Sequence, residues 1–179
     1  FIGLILGTWI IVASIISIIL RFKFSPSVKY IKLINSFIAH IGVGVMIIGV
    51  TYSSIYQKEY SFKIKIGDNI TLGDQKLKFD NIKIIEEKNY QSLRAVFSLE
   101  TNDGTISNIE PGKNYYPVSN MITTEAGIYH DWFKDIYITL GNENNNFWFV
   151  RIYINPLVSF IWIGVIIMIF SSIIAIIKK

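Results

Sequence analysis

The sequence predicts a membrane protein of mixed class: three transmembrane helices, with an antiparallel β-barrel or β-sandwich domain inserted between the second and third, on the outer side. Three observations predict it. The 179 residues are 51% hydrophobic and 17% charged, with a mean hydropathy of +0.44, whereas soluble domains carry about 25% charged residues. The apolar excess gathers in three blocks, 2–20, 37–56 and 157–177, each near the roughly 20 residues a spanning helix needs. Between the last two lies a polar stretch that alternates with period two.

The chain starts at Phe1, inside an apolar run, and reads as a fragment or as one subunit of something larger. Residues 1–20 are the first transmembrane helix. They lack the basic leader and small-residue cleavage site of a signal peptide, and Arg21 and Lys23 follow them as a stop-transfer flank. Residues 21–36 form a basic loop carrying Arg21, Lys23, Lys29 and Lys32, and residues 178–179 form a basic tail of Lys178 and Lys179. Short basic loops stay on the cytoplasmic side, so both are expected inside. Residues 37–56, the second helix, then lead outward, and residues 157–177, the third, lead back. Tyr52, Tyr56 and Trp162 fall at the outer ends of these two helices, as interfacial aromatics or as ordinary packing aromatics.

Residues 57–155 form the outer domain. They hold eleven of the seventeen basic residues against all thirteen acids, a net charge of −2. That balance gives no reason to expect nucleic acid. About 100 residues suffice for a small domain with its own core. Ser61–Ile66 reads S-F-K-I-K-I, placing Phe62, Ile64 and Ile66 on one face. Lys76–Asp80 and Ile82–Ile85 alternate likewise, and Arg94–Glu100, Ile136–Leu140 and Phe147–Ile154 are rich in β-branched and aromatic residues. These predict half-buried strands, six to eight in all. Gly67-Asp68, Gly73-Asp74, Asn102-Asp103-Gly104, Pro111-Gly112 and Gly141-Asn142 mark the turns. Glu110–Leu140 is less regular and dense in aromatics, among them Trp132 and Phe133. It reads either as a loop wrapping the core or as a surface that meets a membrane or a partner protein.

The chain has no cysteine, which excludes disulfides, zinc–thiolate sites and a cysteine nucleophile within it. No phosphate-binding loop, metalloprotease motif or serine–histidine–aspartate set is present. The residue that stands out is His40, about one helical turn inside the second span. An ionisable side chain in a span is costly and points to function. Gly44 lies four residues on, on the same face, and Gly42 and Gly49 share a neighbouring one. Glycine faces admit a flat group or another helix close to the backbone. From residue type alone His40 is a hydrogen-bonding partner across helices, a proton relay or a haem ligand. His130 lies in the outer domain and is a poor second axial ligand.

The run His40-Ile-Gly-Val-Gly-Val-Met-Ile-Ile-Gly-Val-Thr51 resembles the last span before the large outer domain in the CcmF/NrfE haem lyase subunit family of cytochrome c-type biogenesis proteins. The resemblance continues through Gly67-Asp68, Tyr115-Tyr116-Pro117-Val118, Met121-Ile-Thr-Thr-Glu125-Ala126 and Asp135-Ile-Tyr137-Ile-Thr-Leu140-Gly141. It ends with Arg151-Ile-Tyr153-Ile-Asn-Pro156 and Ile161-Trp162-Ile-Gly164. It covers most of the chain, in order, but only the C-terminal part of the family's multi-span protein. The family's tryptophan-rich haem-handling segment lies upstream, so Trp132 and Trp148 do not take that role.

The resemblance implies the C-terminal part of a membrane haem lyase. The implied chemistry joins haem to the two thiols of a Cys-x-x-Cys-His motif in apocytochrome c, and this part alone is not expected to be active. It implies a transmembrane haem b with His40 as one axial ligand and Gly44 close to the ring. The second ligand would come from the upstream part of the protein or another chain. Implied partners are that upstream half, a haem-carrier chaperone, apocytochrome c, other cytochrome c maturation subunits and the membrane. The implied location is a bacterial inner membrane with the outer domain in the periplasm, or a mitochondrial inner membrane with it in the intermembrane space. Tyr115, Tyr116, Pro117, Thr124 and Glu125 match the family pattern, as do Gly67, Asp68 and Thr123. They read either as residues that shape the outer domain or as a docking surface for apocytochrome c or a partner subunit. The rival readings are a non-enzymatic assembly scaffold with a partner-binding β-domain and an unrelated three-span sensor.

Overall fold

A computed structural model describes residues 1–24, 30–101 and 104–177, with the side chains of residues 22, 24 and 30–33 left aside. Lys29, the Lys32 side chain, Asn102, Asp103, Lys178 and Lys179 therefore lie outside the described residues. Among those described are three helices and ten strands, in two compact units.

The first unit comprises Phe1–Gln57, Asp131–Lys134 and Asn155–Lys179. Its helices are α1 (Ile2–Phe24), α2 (Tyr30–Tyr56) and α3 (Val158–Ile177), all long and apolar enough to cross a membrane. Three of their hydroxyls are satisfied locally: Ser14, Ser54 and Ser172 donate to the carbonyls of Ile10, Val50 and Met168, one turn back. That removes the cost of an unpaired hydroxyl in lipid. The helices pack through glycine. A Cβ built on Gly42 would stand 2.7 Å from the Gly164 carbonyl oxygen, and one on Gly164 would stand 2.6 Å from that of Gly42. Gly7 and Gly44 face each other in the same way across α1 and α2, at 2.9 Å. With no hydrophobic drive between helices in lipid, such backbone approach is what association uses. The Ser171 hydroxyl adds a 2.6 Å bond to the carbonyl of Asn35.

The second unit is an antiparallel β-sandwich of Lys58–His130 and Asp135–Ile154. One sheet runs β1 (Lys58–Ile64), β10 (Phe147–Pro156), β9 (Lys134–Asn144), β8 (Gly127–His130). The other runs β2 (Asn69–Leu72), β3 (Gln75–Glu86), β4 (Gln91–Glu100), β6 (Gly112–Tyr116), β7 (Met121–Glu125), with β5 (Ile106–Ile109) also paired to β4. The inward faces interdigitate as one core. Leu77, Phe79, Phe97, Leu99 and Ile109 come from the larger sheet, and Ile136, Ile138, Leu140, Val150 and Ile152 from the smaller. Phe79 and Phe97 sit opposite in register and stack 4.7 Å apart.

Ten strands replace the six to eight expected. The sequence hides strands of four or five residues, which are too short to display a period. Most of them, β6, β7 and β8, lie in the Glu110–Leu140 stretch that read as irregular. Conversely, the two alternating runs 76–80 and 82–85 are one strand. A bulge at Asp80, between Phe79 and Asn81, shifts the register and resets the alternation. Ile66, expected on the buried face of the first strand, is exposed. Strand β1 stops at Ile64, and Gly67 at φ 94° turns the chain, with the amide of Asp68 bonded to the carbonyl of Lys65 and the amide of Lys65 to the Asp68 carboxylate. A positive φ at the third position of such a turn calls for glycine.

Candidate functional site

His40 lines a groove of about 480 Å³ between α1 and α2, with Trp9, Ala13, Ser17, Arg21 and Phe37 among its walls. Pockets of roughly 300–1,000 Å³ are typical of small-molecule and cofactor sites. Two steps of helix geometry make the groove. The Gly7–Gly44 approach pins α1 to α2 one turn from His40, and the small side chains Ala13, Ser14 and Ser17 on α1 keep the space beyond it open.

The His40 ring is oriented by its own helix. Nδ1 lies 2.6 Å from the carbonyl oxygen of Ser36, one turn back, with the Ser36 hydroxyl at 3.5 Å. A carbonyl only accepts, so Nδ1 carries the proton and donates. The other nitrogen, Nε2, takes no partner among the described residues. Metal-bound histidines characteristically donate their second ring nitrogen to a carbonyl or carboxylate, which fixes tautomer and orientation. His40 has this kind of hold on one ring nitrogen and lies on an exposed face of the helix. Among the described residues no cluster of three His, Asp or Glu side chains could hold a metal by itself. A porphyrin-held iron needs only axial donors from protein, and one histidine in a groove of mixed apolar, serine and arginine lining is compatible with that chemistry.

Gly44 shares the His40 face, but the space over it is filled. A Cβ there would meet Ile11 Cγ1 at 2.5 Å as well as the Gly7 carbonyl. Of the two occupants that the glycine face admitted, the described structure places a helix there, because α1 carries a matching glycine. Gly42 and Gly49 face α3 through Gly164 and Ile161. His130, in the second unit, pairs through Nδ1 with buried Asp135 at 3.1 Å.

The residues of the possible docking surface fall in three places. Tyr115 and Tyr116 lie on β6, with Tyr115 bonded to Asn120 and Tyr116 packed on Tyr90 at 5.3 Å. Tyr116 and Pro117 border a groove of about 510 Å³ with Glu86, Glu87 and Lys88. Thr124 borders a different groove with Phe62, Asn142 and Arg151. Glu125 is engaged: its carboxylate accepts from Arg94 at 2.7 Å and from Asn114 at 2.6 Å. It satisfies side-chain donors rather than backbone ones. On the β6–β7 hairpin, Gly112 opposes Glu125 while Tyr116 opposes Met121, so the two groups are four positions apart, about 13 Å along a strand. The sequence missed Asn114, whose side chain is almost fully buried; its place in an alternating strand was the available signal. It also missed the Ser36 carbonyl, which the four-residue spacing to His40 makes available.

Three helices fit to span a bilayer and an antiparallel sandwich inserted before the last of them define an integral membrane protein with an inserted β-domain. Residues 55–156 match the family model described as the CcmF C-terminal beta-sandwich. The chain belongs to the CcmF family. It is 33% identical over 132 residues to the cytochrome c-type biogenesis protein CcmF of Pseudomonas aeruginosa, covering 73% of this chain and 20% of that protein. To CcmF of Escherichia coli it is 30% identical over 164 residues, covering 90% and 25%. Among solved structures it is similar to a cytochrome c heme lyase CcmF, with a TM-score of 0.75 at 14% identity over 97% of this chain and 30% of that one, which shows the fold. The chain spans about a fifth to a quarter of the length of these curated relatives.

Proposed function

We propose that the chain is the part of a cytochrome c haem lyase that supplies one axial ligand, His40, to a haem b held in the membrane. In this reading the β-sandwich faces the periplasm, or the mitochondrial intermembrane space, beside the site of attachment to apocytochrome c. The observation that carries it is the place of the His40 ring: Nδ1 is held by the Ser36 carbonyl, and the ring lines a groove between α1 and α2. Haem iron at Nε2 would supply one-electron chemistry. The chain's own residues bind and orient: Ser36 fixes the ring, the Gly7–Gly44 contact sets the groove width, and Trp9 and Phe37 exclude water. The second axial ligand, a haem-carrier chaperone, the upstream half and further maturation subunits complete the proposal. Arg21 and Lys23 mark the inner end of α1 and support the orientation.

The test is a reduced-minus-oxidised spectrum of detergent-purified protein with its upstream segment present. Wild type is expected to show the α-band of a six-coordinate b haem, and His40→Ala to lose it. An unchanged band in a folded His40→Ala variant removes His40 from the iron.

Within the sandwich, we assign docking to the Tyr115–Pro117 side, with exposed Tyr115, Val118, Met121 and Ile122 around the β6–β7 turn and β7 as an unpaired edge. This fits the assembly role that a scaffold would also have. Thr124 and Glu125 lie toward the other end of that hairpin. Substituting Val118 and Ile122 with serine is expected to weaken capture of an apocytochrome peptide without lowering domain stability.

A further inference from the structure

The hairpin joining β8 to β9 has an anomalous tip. His130 opposes Asp135, and the Asp131 amide bonds to the Lys134 carbonyl at 3.0 Å, which leaves Trp132 and Phe133 as a two-residue loop. Such loops ordinarily take Asn, Asp or Gly. The hairpin between β9 and β10 obeys that rule: its tip is Asn145-Asn146, with φ of 54° and 64°. At Trp132 and Phe133 the two rings are instead 73% and 68% exposed. The backbone needs neither aromatic there, and the core takes neither.

The place of the tip says what covers it. Asp131–Lys134 belongs with the helices, not with the sandwich. The Phe133 carbonyl accepts from the amide of Leu157 at 2.8 Å, and the Asp131 carbonyl accepts from the hydroxyl of Ser159 at 3.2 Å. Both donors stand at the first turn of α3, a helix fit to span the bilayer. Leu157 itself adopts φ 57°, a conformation bulky residues avoid, and its amide points at the tip. Gln57, just past α2, bonds to Asn155, just before α3, at 2.8 Å, so both helices reach the membrane boundary at one level. Tyr52 and Tyr56 on α2 and Trp162 on α3 lie at that end. Trp132 and Phe133 are therefore held at the height where aromatic side chains favour the junction of headgroups and acyl chains.

We propose that Trp132 and Phe133 are a membrane-interface anchor: the hairpin tip inserts both rings into the headgroup–acyl boundary beside the start of α3. The anchor gives the domain a third attachment to the bilayer, besides the chain connections to α2 and α3. It is independent of haem and of His40.

Because the chain has no cysteine, a single spin label can report the site. The chain carrying Phe133→Cys, labelled and reconstituted in nanodiscs of phosphatidylcholine and phosphatidylglycerol, is compared with Asn145→Cys and Trp162→Cys. Collision with oxygen, which concentrates in lipid, is measured against collision with a water-soluble nickel chelate. The Phe133 label is expected to favour oxygen severalfold over the Asn145 label and to resemble the Trp162 label. A Phe133 label that favours nickel, as Asn145 should, places the tip in water. A label shielded from both reagents places it under protein, against another subunit or an upstream segment. Either result overturns the anchor.

Discussion

His40 and Asp80 illustrate how single residues are set by one neighbour, on the same helix for the first and on the paired strand for the second. His40 donates from Nδ1 to a carbonyl of its own helix, so that bond does not depend on the Ser36 side chain; Ser36→Ala is expected to leave haem binding intact where His40→Ala is expected to abolish it. Asp80, at the bulge, accepts from the Ser98 hydroxyl and pairs with Lys78 at 3.2 Å. The Ser98 bond, ahead of the opposing effect of burial and the smaller pull of Lys78, holds its carboxyl below the usual range. Its folded pKa is depressed, so its stabilisation is full above the unfolded value of about 3.9. The contribution drains away as pH falls through the folded value. Ser98→Ala is expected to raise the Asp80 pKa and to cost about 1 kcal/mol at neutral pH. The wild-type and variant unfolding curves should converge below about pH 4. Curves that stay parallel across that range would mean the bond contributes nothing through ionisation. Glu125 gives a second check: Glu125→Ala leaves the buried Asn114 amide unpaired and should cost about 1–3 kcal/mol in denaturant unfolding. At this scale the sequence picked out His40 as a candidate but not how its ring is held. The hold depends on a backbone carbonyl, and every residue has one.

Elements were legible in proportion to their length. The three apolar blocks are long enough for composition alone to mark them. The glycine faces of α2 were readable too, since spacing separates Gly44 from Gly42 and Gly49. What spacing did not reveal was that Gly7 and Gly164 on the neighbouring helices answer them. That fit makes Gly164→Val a sharp test. Its Cβ would meet the Gly42 carbonyl and the Met46 amide at 2.6 and 2.7 Å, backbone atoms that move only with their helix. A loss of about 1–3 kcal/mol is expected, read by denaturation in detergent, and Ala at exposed Ile166 serves as control. The short strands were illegible for a different reason. Pro111 has no amide to donate, so β5 and β6 pair with the two halves of β4 as separate strands instead of one. A four-residue strand carries no periodic mark of its own, even where its partner is close in sequence, as for β2, β5 and β8. Its alternation is visible only once the partner is known.

At the level of the whole molecule, composition, charge and period-two alternation were enough to foretell an antiparallel β-barrel or sandwich inserted among membrane helices, because lipid and water sort residues more strongly than local propensity does. The sandwich closes its core with strands from both ends of the inserted segment. Residues 57–156 expressed alone are therefore expected to unfold in one cooperative denaturant transition, with slow amide exchange at Phe79, Phe97 and Val150. A broad, probe-dependent transition would mean that the domain needs its helices. The pairing of β1 with β10 has a mechanical corollary. Lys58 faces Ile154 and Ile64 faces Trp148, so the two strands leave the sheet side by side and in opposite directions, each running straight into a helix. A force that separates α2 from α3 would load this pair at one end only, opening its hydrogen bonds one after another like a zipper. Unzipping yields at far lower tension than shear, which loads every bond at once. The first part of the domain to give way under such a pull would be the Lys58–Ile154 end of the seam, where the chain joins the two helices, with the Phe79–Phe97 stack still closed.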